Sequence, residues 1–202
     1  LYDLGFPTDA IEVVKDLYTG ASTRIQTPHG PTQSIPFDRG TIQGDSLSPF
    51  LFVMYLEPLL RWLKAGRKGY MVGALQDQGS DVQAQYQISD ITYADDVNIA
   101  TGGPNGLANM KHQASKLGAY ADWGQLLVNN TKTTVTGALH GSIPNQPYDE
   151  HRLRTQLTNT IRVQDKPITY HSPKQPFRHL GVELTMDLNY AHHFKTFYQK
   201  IR

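Results

Sequence analysis

Apolar residues recur three and four positions apart near the start of the chain and again in its second quarter, which is the spacing of one face of an α-helix. The first series predicts a helix that is capped by Thr8 or Asp9 and ends at Gly20. The second series is wider and follows Ser48, which fits an N-cap. It predicts a longer helix that is buried on most sides and kinked at Pro58.

Short runs of alternating or β-branched residues predict strands between the helices. In chain order, the candidate strands are residues 22–27, 33–37, 86–92, 97–100, 126–128, 133–136 and 177–184. The first two flank a turn with Pro and Gly, and the next two flank a tight polar break, so both pairs are predicted to form β-hairpins. Helical spacing also indicates helices over residues 103–124 and 190–202. Together these elements predict an α+β fold in which helices back an antiparallel sheet.

Residues 140–176 lack a clear period and contain five prolines. Prolines at this density disfavour continuous strand ladders, and long loops usually lie at the surface. We therefore expect a surface insertion outside the catalytic core, with one short strand near Ile161 and another near Ile168.

The polar break of the second hairpin is Tyr93-Ala94-Asp95-Asp96. Two adjacent carboxylates at a hairpin tip repel each other unless a cation lies beside them. Mg²⁺ accepts one or two protein carboxylates and completes its octahedron with water and substrate phosphates, and that chemistry serves phosphoryl or nucleotidyl transfer. Asp is also a common turn residue, so an ordinary turn is the alternative interpretation of these four residues alone.

Composition narrows the function classes only slightly. The chain has 202 residues, 39% of them hydrophobic, which is enough for one core of ordinary domain size. Its net charge of +1 neither requires nor excludes nucleic acid, because a basic groove can lie within a nearly neutral total. The absence of cysteine excludes disulfides and thiolate metal sites. No apolar run is long enough for a membrane span and no secretory signal opens the sequence, so we expect no membrane partner and an intracellular location, nuclear or cytoplasmic.

Several blocks, taken in order, resemble a reverse transcriptase, most of all the enzymes of non-LTR (LINE-type) retrotransposons. Residues 39–52 resemble the G-x-x-Q-G-x-x-x-S-P-x-L-F signature, residues 93–96 the Y-x-D-D catalytic hairpin, and residues 179–182 the L-G turn of the primer grip. Residues 128–133 resemble the N-x-x-K-T segment, and residues 4–7 with the following helix also match. Group II intron reverse transcriptases are similar but fit slightly less well, and viral RNA-dependent RNA polymerases more often carry glycine before the aspartate pair.

The resemblance implies a polymerase palm that extends a primer 3′-hydroxyl on an RNA template by two-metal nucleotidyl transfer, with Mg²⁺ as cofactor and Mn²⁺ as a substitute. Its partners would be an RNA template, a DNA primer and deoxynucleoside triphosphates. Asp95 would be a direct metal ligand, Asp96 would support the metal pair or the primer end, and Lys132 would neutralise or protonate the leaving pyrophosphate. The residues implied to contact nucleic acid or nucleotide are Arg39, Gln43, Gly44, Tyr93, Leu180 and Gly181. The alternative for Arg39 and for Lys132 is an ordinary solvated side chain at the surface.

The family pattern also includes a catalytic aspartate on a strand upstream of the helix that follows residues 4–7, and no residue precedes Leu1. Both ends of the chain interrupt a helical pattern. These features predict a palm truncated at both ends, with residues 1–188 as palm and residues 189–202 as the start of a thumb or connection helix. They also predict that the 202-residue piece alone binds nucleic acid weakly and does not polymerise. The alternative is a decayed or repurposed module that binds nucleic acid without catalysis.

Overall fold

The computed structural model describes residues 1–42, 44–72, 86–137, 150–179 and 182–186. Within these ranges the chain forms four α-helices and fourteen short strands. The helices are α1 (Thr8–Tyr18), α2 (Ser48–Ala65), α3 (Gly106–Trp123) and α4 (Glu150–Thr160), and a 3₁₀ turn covers Tyr2–Leu4. None of these helices is both long and apolar enough to cross a membrane.

The strands pair two by two. They are β1 (Ser22–Thr23), β2 (Gln26–Thr27), β3 (Gly30–Pro31), β4 (Ile35–Pro36), β5 (Tyr70–Val72), β6 (Tyr86–Ile88), β7 (Asp90–Tyr93), β8 (Asp96–Ile99), β9 (Thr134–Val135), β10 (Arg162–Val163), β11 (Lys166–Pro167), β12 (Thr169–Tyr170), β13 (Phe177–His179) and β14 (Val182–Leu184). Five pairs are antiparallel, β9 and β12 pair in parallel, and β7 pairs with β8 as a hairpin. Helices with short, mostly antiparallel ladders confirm the predicted α+β class, although the described ladders are pairs and not one continuous sheet.

The chain forms two compact units. One contains Leu1–Leu60 together with Thr92–Asp96, and the other contains Arg61–Ile91 together with Val97–Arg202. The tip of the β7–β8 hairpin therefore belongs to the same unit as the N-terminal part of the chain, while the base of the hairpin belongs to the second unit.

A cap at Thr8 or Asp9 would place the start of α1 after that residue, but the helix already begins at Thr8. The N-cap position is Pro7, and no side chain accepts a capping hydrogen bond from the first turn. The Asp9 carboxylate accepts instead from the neighbouring Ala10 N–H at 3.0 Å. The prediction that Thr8 or Asp9 caps the helix is wrong, because Pro7 already holds the extended backbone that precedes a first turn. The helix ends at Tyr18, close to its predicted end.

The first predicted hairpin is present, but it consists of two ladders. β1 pairs with β4, and β2 pairs with β3. Between the ladders the Ile25 N–H donates to Thr32 Oγ1 at 3.0 Å, and the Thr32 N–H donates to the Ile25 carbonyl at 3.0 Å. The ladders stay short because Pro31 and Pro36 have no N–H to donate.

Helix α2 continues without a break through Pro58, and a kink there stays a prediction. Its deeply buried residues follow helical spacing and are Leu56, Leu59 and Leu63. In contrast, Phe50 is 45% exposed and Val53 is 41% exposed. The prediction that the helix is buried on most sides is therefore wrong for its first half, because the buried positions form a single stripe.

The hydrophobic core of the second unit lies around α3 and α4. Its buried members are Ala114, Val135, Leu153, Leu157, Ile161, Val163 and Ile168. Five of these seven lie in the segment that the sequence places at the surface, and β12 in that segment pairs with β9. The surface placement is therefore wrong for these buried residues. The short strands expected near Ile161 and Ile168 are confirmed as β10 and β12, while residues 138–149 lie outside the described ranges.

Two other strand predictions are wrong in detail. The strand predicted over 177–184 is replaced in the described residues by two strands, β13 and β14, which pair antiparallel with each other. Residues 126–128 form no strand, because the Val128 N–H donates to the Gln164 side chain at 3.0 Å and not to a strand partner. The strand predicted over 133–136 is confirmed as β9. The helix expected at 190–202 and the boundary at 188 lie outside the described residues.

Candidate active site

The candidate site is built on the β7–β8 hairpin. β7 ends at Tyr93 and β8 begins at Asp96, so Ala94 and Asp95 form the two-residue turn between them. Ala94 has a φ of 50°, which is the positive value that the first turn position of a mirror-image hairpin turn requires. Such turns match the twist of the flanking strands, so the predicted hairpin is confirmed and the two aspartates lie at its tip.

The hairpin is shorter than the sequence suggests, and its base is well fixed. Ser89 separates β6 from β7, and β6 pairs with β5 instead. The Ala100 N–H donates to the Ser89 carbonyl at 3.0 Å, and Asn98 Nδ2 donates to the Ile91 carbonyl at 3.2 Å. Hydrogen bonds at the base therefore support the two strands that carry the turn.

The side chains at the tip face solvent. Tyr93 is 65% exposed, and Asp95 and Asp96 are both exposed. Among the described residues, no group of three or more acidic or histidine side chains could hold a metal ion. The two carboxylates nevertheless fit one or two positions of a Mg²⁺ octahedron, because Mg²⁺ commonly takes its other ligands from water and substrate phosphates.

The loop before α2 that contains Gly40 and Gly44, here called the glycine-marked loop, lies in the same unit as the hairpin tip. Gly40 has a φ of 89° and Gly44 a φ of 93°, which side chains with a Cβ rarely adopt. A Cβ at either position would meet no atom within 4 Å. The backbone conformation thus favours glycine at both, and the space beside each is open. Arg39 at the start of the loop is exposed, and Gln43 lies outside the described residues.

Two hydroxyl groups hold this loop against the helices on either side of it. Ser48 Oγ donates to the Ile42 carbonyl at 2.6 Å, and the Ile42 N–H donates to the Tyr18 hydroxyl at 3.4 Å. The two hydroxyl oxygens are 3.4 Å apart. Both polar groups of Ile42 are therefore bound by α1 and α2. The helical pattern places Tyr18 on an apolar face and Ser48 at a cap, and nothing in it predicts this network.

Lys132 lies in the second unit, at a turn organised by Asn129. Asn129 Oδ1 accepts from the Lys132 N–H at 3.2 Å and from the Thr131 hydroxyl at 2.7 Å. The Asn129 carbonyl accepts from the Thr133 N–H at 2.8 Å. The turn fixes the backbone of Lys132 while its side chain stays exposed. Its catalytic role stays a prediction.

The two residues expected to hold the primer, Leu180 and Gly181, lie outside the described ranges. Their role in binding the primer therefore stays a prediction.

Comparison with known proteins gave one family. The family model described as "Reverse transcriptase (RNA-dependent DNA polymerase)" matches residues 1–184. The match includes the glycine-marked loop, the β7–β8 hairpin, the turn at Lys132 and the core segment around α4. The comparison with curated proteins found no match.

Proposed function

This chain belongs to the reverse transcriptase family, and on that premise we propose that it acts in RNA-directed DNA synthesis by an enzyme of the non-LTR (LINE-type) kind. The family as a whole carries RNA-directed DNA polymerase activity. The finer assignment is supported by the form and order of two blocks, the signature at residues 39–52 and the Y-x-D-D tetrapeptide at residues 93–96.

The observation that carries the proposal is the presentation of two neighbouring carboxylates on an exposed two-residue turn. Asp95 and Asp96 are exposed, and they belong to the same unit as the glycine-marked loop. Two adjacent negative charges repel each other at an ordinary solvent turn, whereas a site that gathers a divalent cation can use both carboxylates as ligands.

We assign the metal position to these two side chains. Mg²⁺ bound there would neutralise phosphate charge and lower the cost of ionising the primer 3′-hydroxyl. The carboxylate of Asp95 would be a direct ligand, and that of Asp96 would support the metal pair or the primer end. The primer 3′-hydroxyl would release its proton to solvent, and its oxygen would bond to the α-phosphorus of the nucleotide as the bond to pyrophosphate breaks.

The remaining predicted residues have supporting roles in this proposal. Tyr93, which is 65% exposed, packs beside the primer terminus. Gly44 leaves open space for the template or nucleotide, and Arg39 contacts a phosphate. Lys132 donates a proton to the leaving pyrophosphate, a role that suits a compact ammonium on a flexible stem. The partners are an RNA template, a DNA primer and deoxynucleoside triphosphates.

One structural observation favours a second candidate function, a module that binds nucleic acid without catalysis. The described part of the chain groups no third acidic or histidine side chain with the two aspartates. A metal pair with only two protein carboxylates would be held weakly.

Primer extension by the intact protein separates the candidates. The substrates are a primed RNA template and a DNA template of the same sequence, each with deoxynucleotides or ribonucleotides, first in Mg²⁺ and then in Mn²⁺. We expect templated extension on RNA with deoxynucleotides. Extension with ribonucleotides alone would assign an RNA polymerase instead. Binding of the primer–template without extension in either metal would favour the non-catalytic module.

A further inference from the structure

Polar side chains of α3 bind the C-terminal end of α2 within the second unit. Gln113 Nε2 donates to the Leu63 carbonyl at 2.9 Å, and Lys116 Nζ donates to the Trp62 carbonyl at 2.6 Å. The last carbonyls of a helix have no partner inside the helix and carry partial negative charge. An amide and an ammonium are therefore suitable donors at this end.

Lys116 is nevertheless an unusual residue for this position. It is only 7% exposed, and its ammonium lies 5.6 Å from the centre of the Trp62 ring. An ammonium has three protons to donate, and the Trp62 carbonyl accepts one. No carboxylate of the described residues forms an ion pair with it. A buried cation is costly unless an anion pairs with it, so this position favours an anion.

The neighbours of Lys116 are basic. His112 precedes it by one helical turn on α3. A Cβ placed on Gly66 would lie 3.5 Å from Lys116 Nζ and 3.6 Å from Lys68 Cγ, so two cationic side chains border that point. Burial, then the charge of Lys68, lowers the pKa of Lys116. Desolvation, then the charges of Lys68 and Lys116, lowers the pKa of His112. Exposed basic residues next to these in sequence are Lys64, Arg67 and Lys111.

We propose that the space beside Gly66, bordered by Lys68 and Lys116, is a phosphate-binding site that holds the backbone of a nucleic-acid strand. A phosphate group offers several acceptor oxygens to two ammonium groups, and its negative charge relieves their mutual repulsion. The site uses none of the residues proposed for catalysis. It is therefore a second point of contact with nucleic acid.

The test uses a carboxylate built into the site. Gly66 has an ordinary backbone conformation, and a Cβ there makes only normal contacts, so it tolerates substitution. Gly66→Asp supplies the missing anion, while Gly66→Asn has the same size without the charge. We expect Gly66→Asp to melt at a higher temperature than Gly66→Asn, because it pairs with Lys116 and Lys68.

Binding is measured by fluorescence anisotropy of a labelled single-stranded RNA over a range of salt concentrations. We expect weaker binding by Gly66→Asp than by Gly66→Asn. Lys68→Gln should also make the plot of log K against log salt less steep by about 0.7, the share of one phosphate contact on a single strand. Lys174→Gln, which removes an exposed lysine outside the cluster, is the charge-matched control and should leave the slope in place.

A titration with inorganic phosphate distinguishes between a nucleic-acid backbone and a free phosphate ion as the ligand of this site. The addition of phosphate is followed by the ring resonances of His112 in NMR spectra. Shifts with RNA but not with millimolar phosphate would show that the site takes a nucleic-acid backbone, as we propose. Shifts with phosphate and unchanged RNA binding in the variants would overturn the nucleic-acid assignment in favour of a free anion. Unchanged RNA binding without any shift would overturn the site itself.

Discussion

Gly118→Ala tests whether the segment around β10 belongs to the core of the second unit. Gly118 lies in the middle of α3, and a Cβ on it would lie 2.9 Å from the backbone nitrogen of Gln164. Real Cβ atoms essentially never come that close to another heavy atom, so either α3 or the turn after β10 must move. Three hydrogen bonds of the Gln164 side chain oppose that movement. Its Oε1 accepts from the Val128 N–H at 3.0 Å, and its Nε2 donates to Asp122 Oδ1 and to the Leu126 carbonyl, both at 2.8 Å.

The magnitude follows from two opposing effects. Replacing a mid-helix glycine by alanine gains about 1 kcal/mol of helix propensity. Overpacking a well-fixed contact costs about 1–3 kcal/mol. We expect the steric cost to exceed the gain because the obstructing atom is backbone, and the net loss should be up to about 2 kcal/mol of the free energy of unfolding.

The assay is urea denaturation followed by circular dichroism, with Gly106→Ala as the matched control. Gly106 begins the same helix, and a Cβ there would meet nothing within 4 Å. That variant should be neutral or more stable by up to about 1 kcal/mol. Equal stability of the two variants would show that the turn yields freely, and would refute the close packing of α3 against it.

Three further predictions follow from other parts of the chain. Gly40→Ala and Gly44→Ala should each lose about 1 kcal/mol of stability, because both glycines have positive φ. Only Gly44→Ala should raise the KM for nucleotide, and equal KM values for the two variants would show that Gly44 does not line the substrate site. Leu157→Ala should lower the free energy of unfolding by about 2–5 kcal/mol in a denaturation experiment. Leu127→Ala should lower it little, because Leu127 is 92% exposed. A small effect of both substitutions would place α4 outside the core. An NMR titration should give His112 a pKa below 6.5, because desolvation and the charges of Lys68 and Lys116 lower it. The folded protein should therefore lose stability as the pH falls below 6.5, since the unfolded chain binds the proton first. A pKa at or above 6.5 would contradict these surroundings of His112.

Features set by local sequence could be predicted. The tetrapeptide at residues 93–96 lies between two β-rich runs, and a two-residue turn is the standard way to join such strands. The spacing of apolar residues likewise located α1, α2 and α3 to within a few residues, because each helix carries an apolar stripe of its own.

Features that depend on contacts between residues distant in sequence could not be predicted. Helix α4 carries only Leu153 and Leu157 as buried residues, which is too little periodicity to distinguish it from a surface loop. The hydrogen bonds of Ile42 with the hydroxyl groups of Tyr18 and Ser48 could not be predicted either. The spacing of residues along a helix does not indicate which distant residue a hydroxyl group on that helix will bind. The same holds for the hydrogen bond of Lys116 to α2, which joins residues 54 positions apart.

The role proposed for the aspartates at the β7–β8 tip in RNA-templated DNA synthesis is tested by the single-turnover extension rate of Asp95→Asn in the intact protein. The substitution keeps the shape of the side chain and removes the charge that we propose binds Mg²⁺. Asp165→Asn makes the same chemical change at another exposed turn residue, and so controls for the loss of one surface carboxylate. We expect a rate lower by several orders of magnitude for Asp95→Asn, with unchanged primer–template affinity, and a normal rate for Asp165→Asn. Near-normal extension by a folded Asp95→Asn protein would contradict this role of the two aspartates.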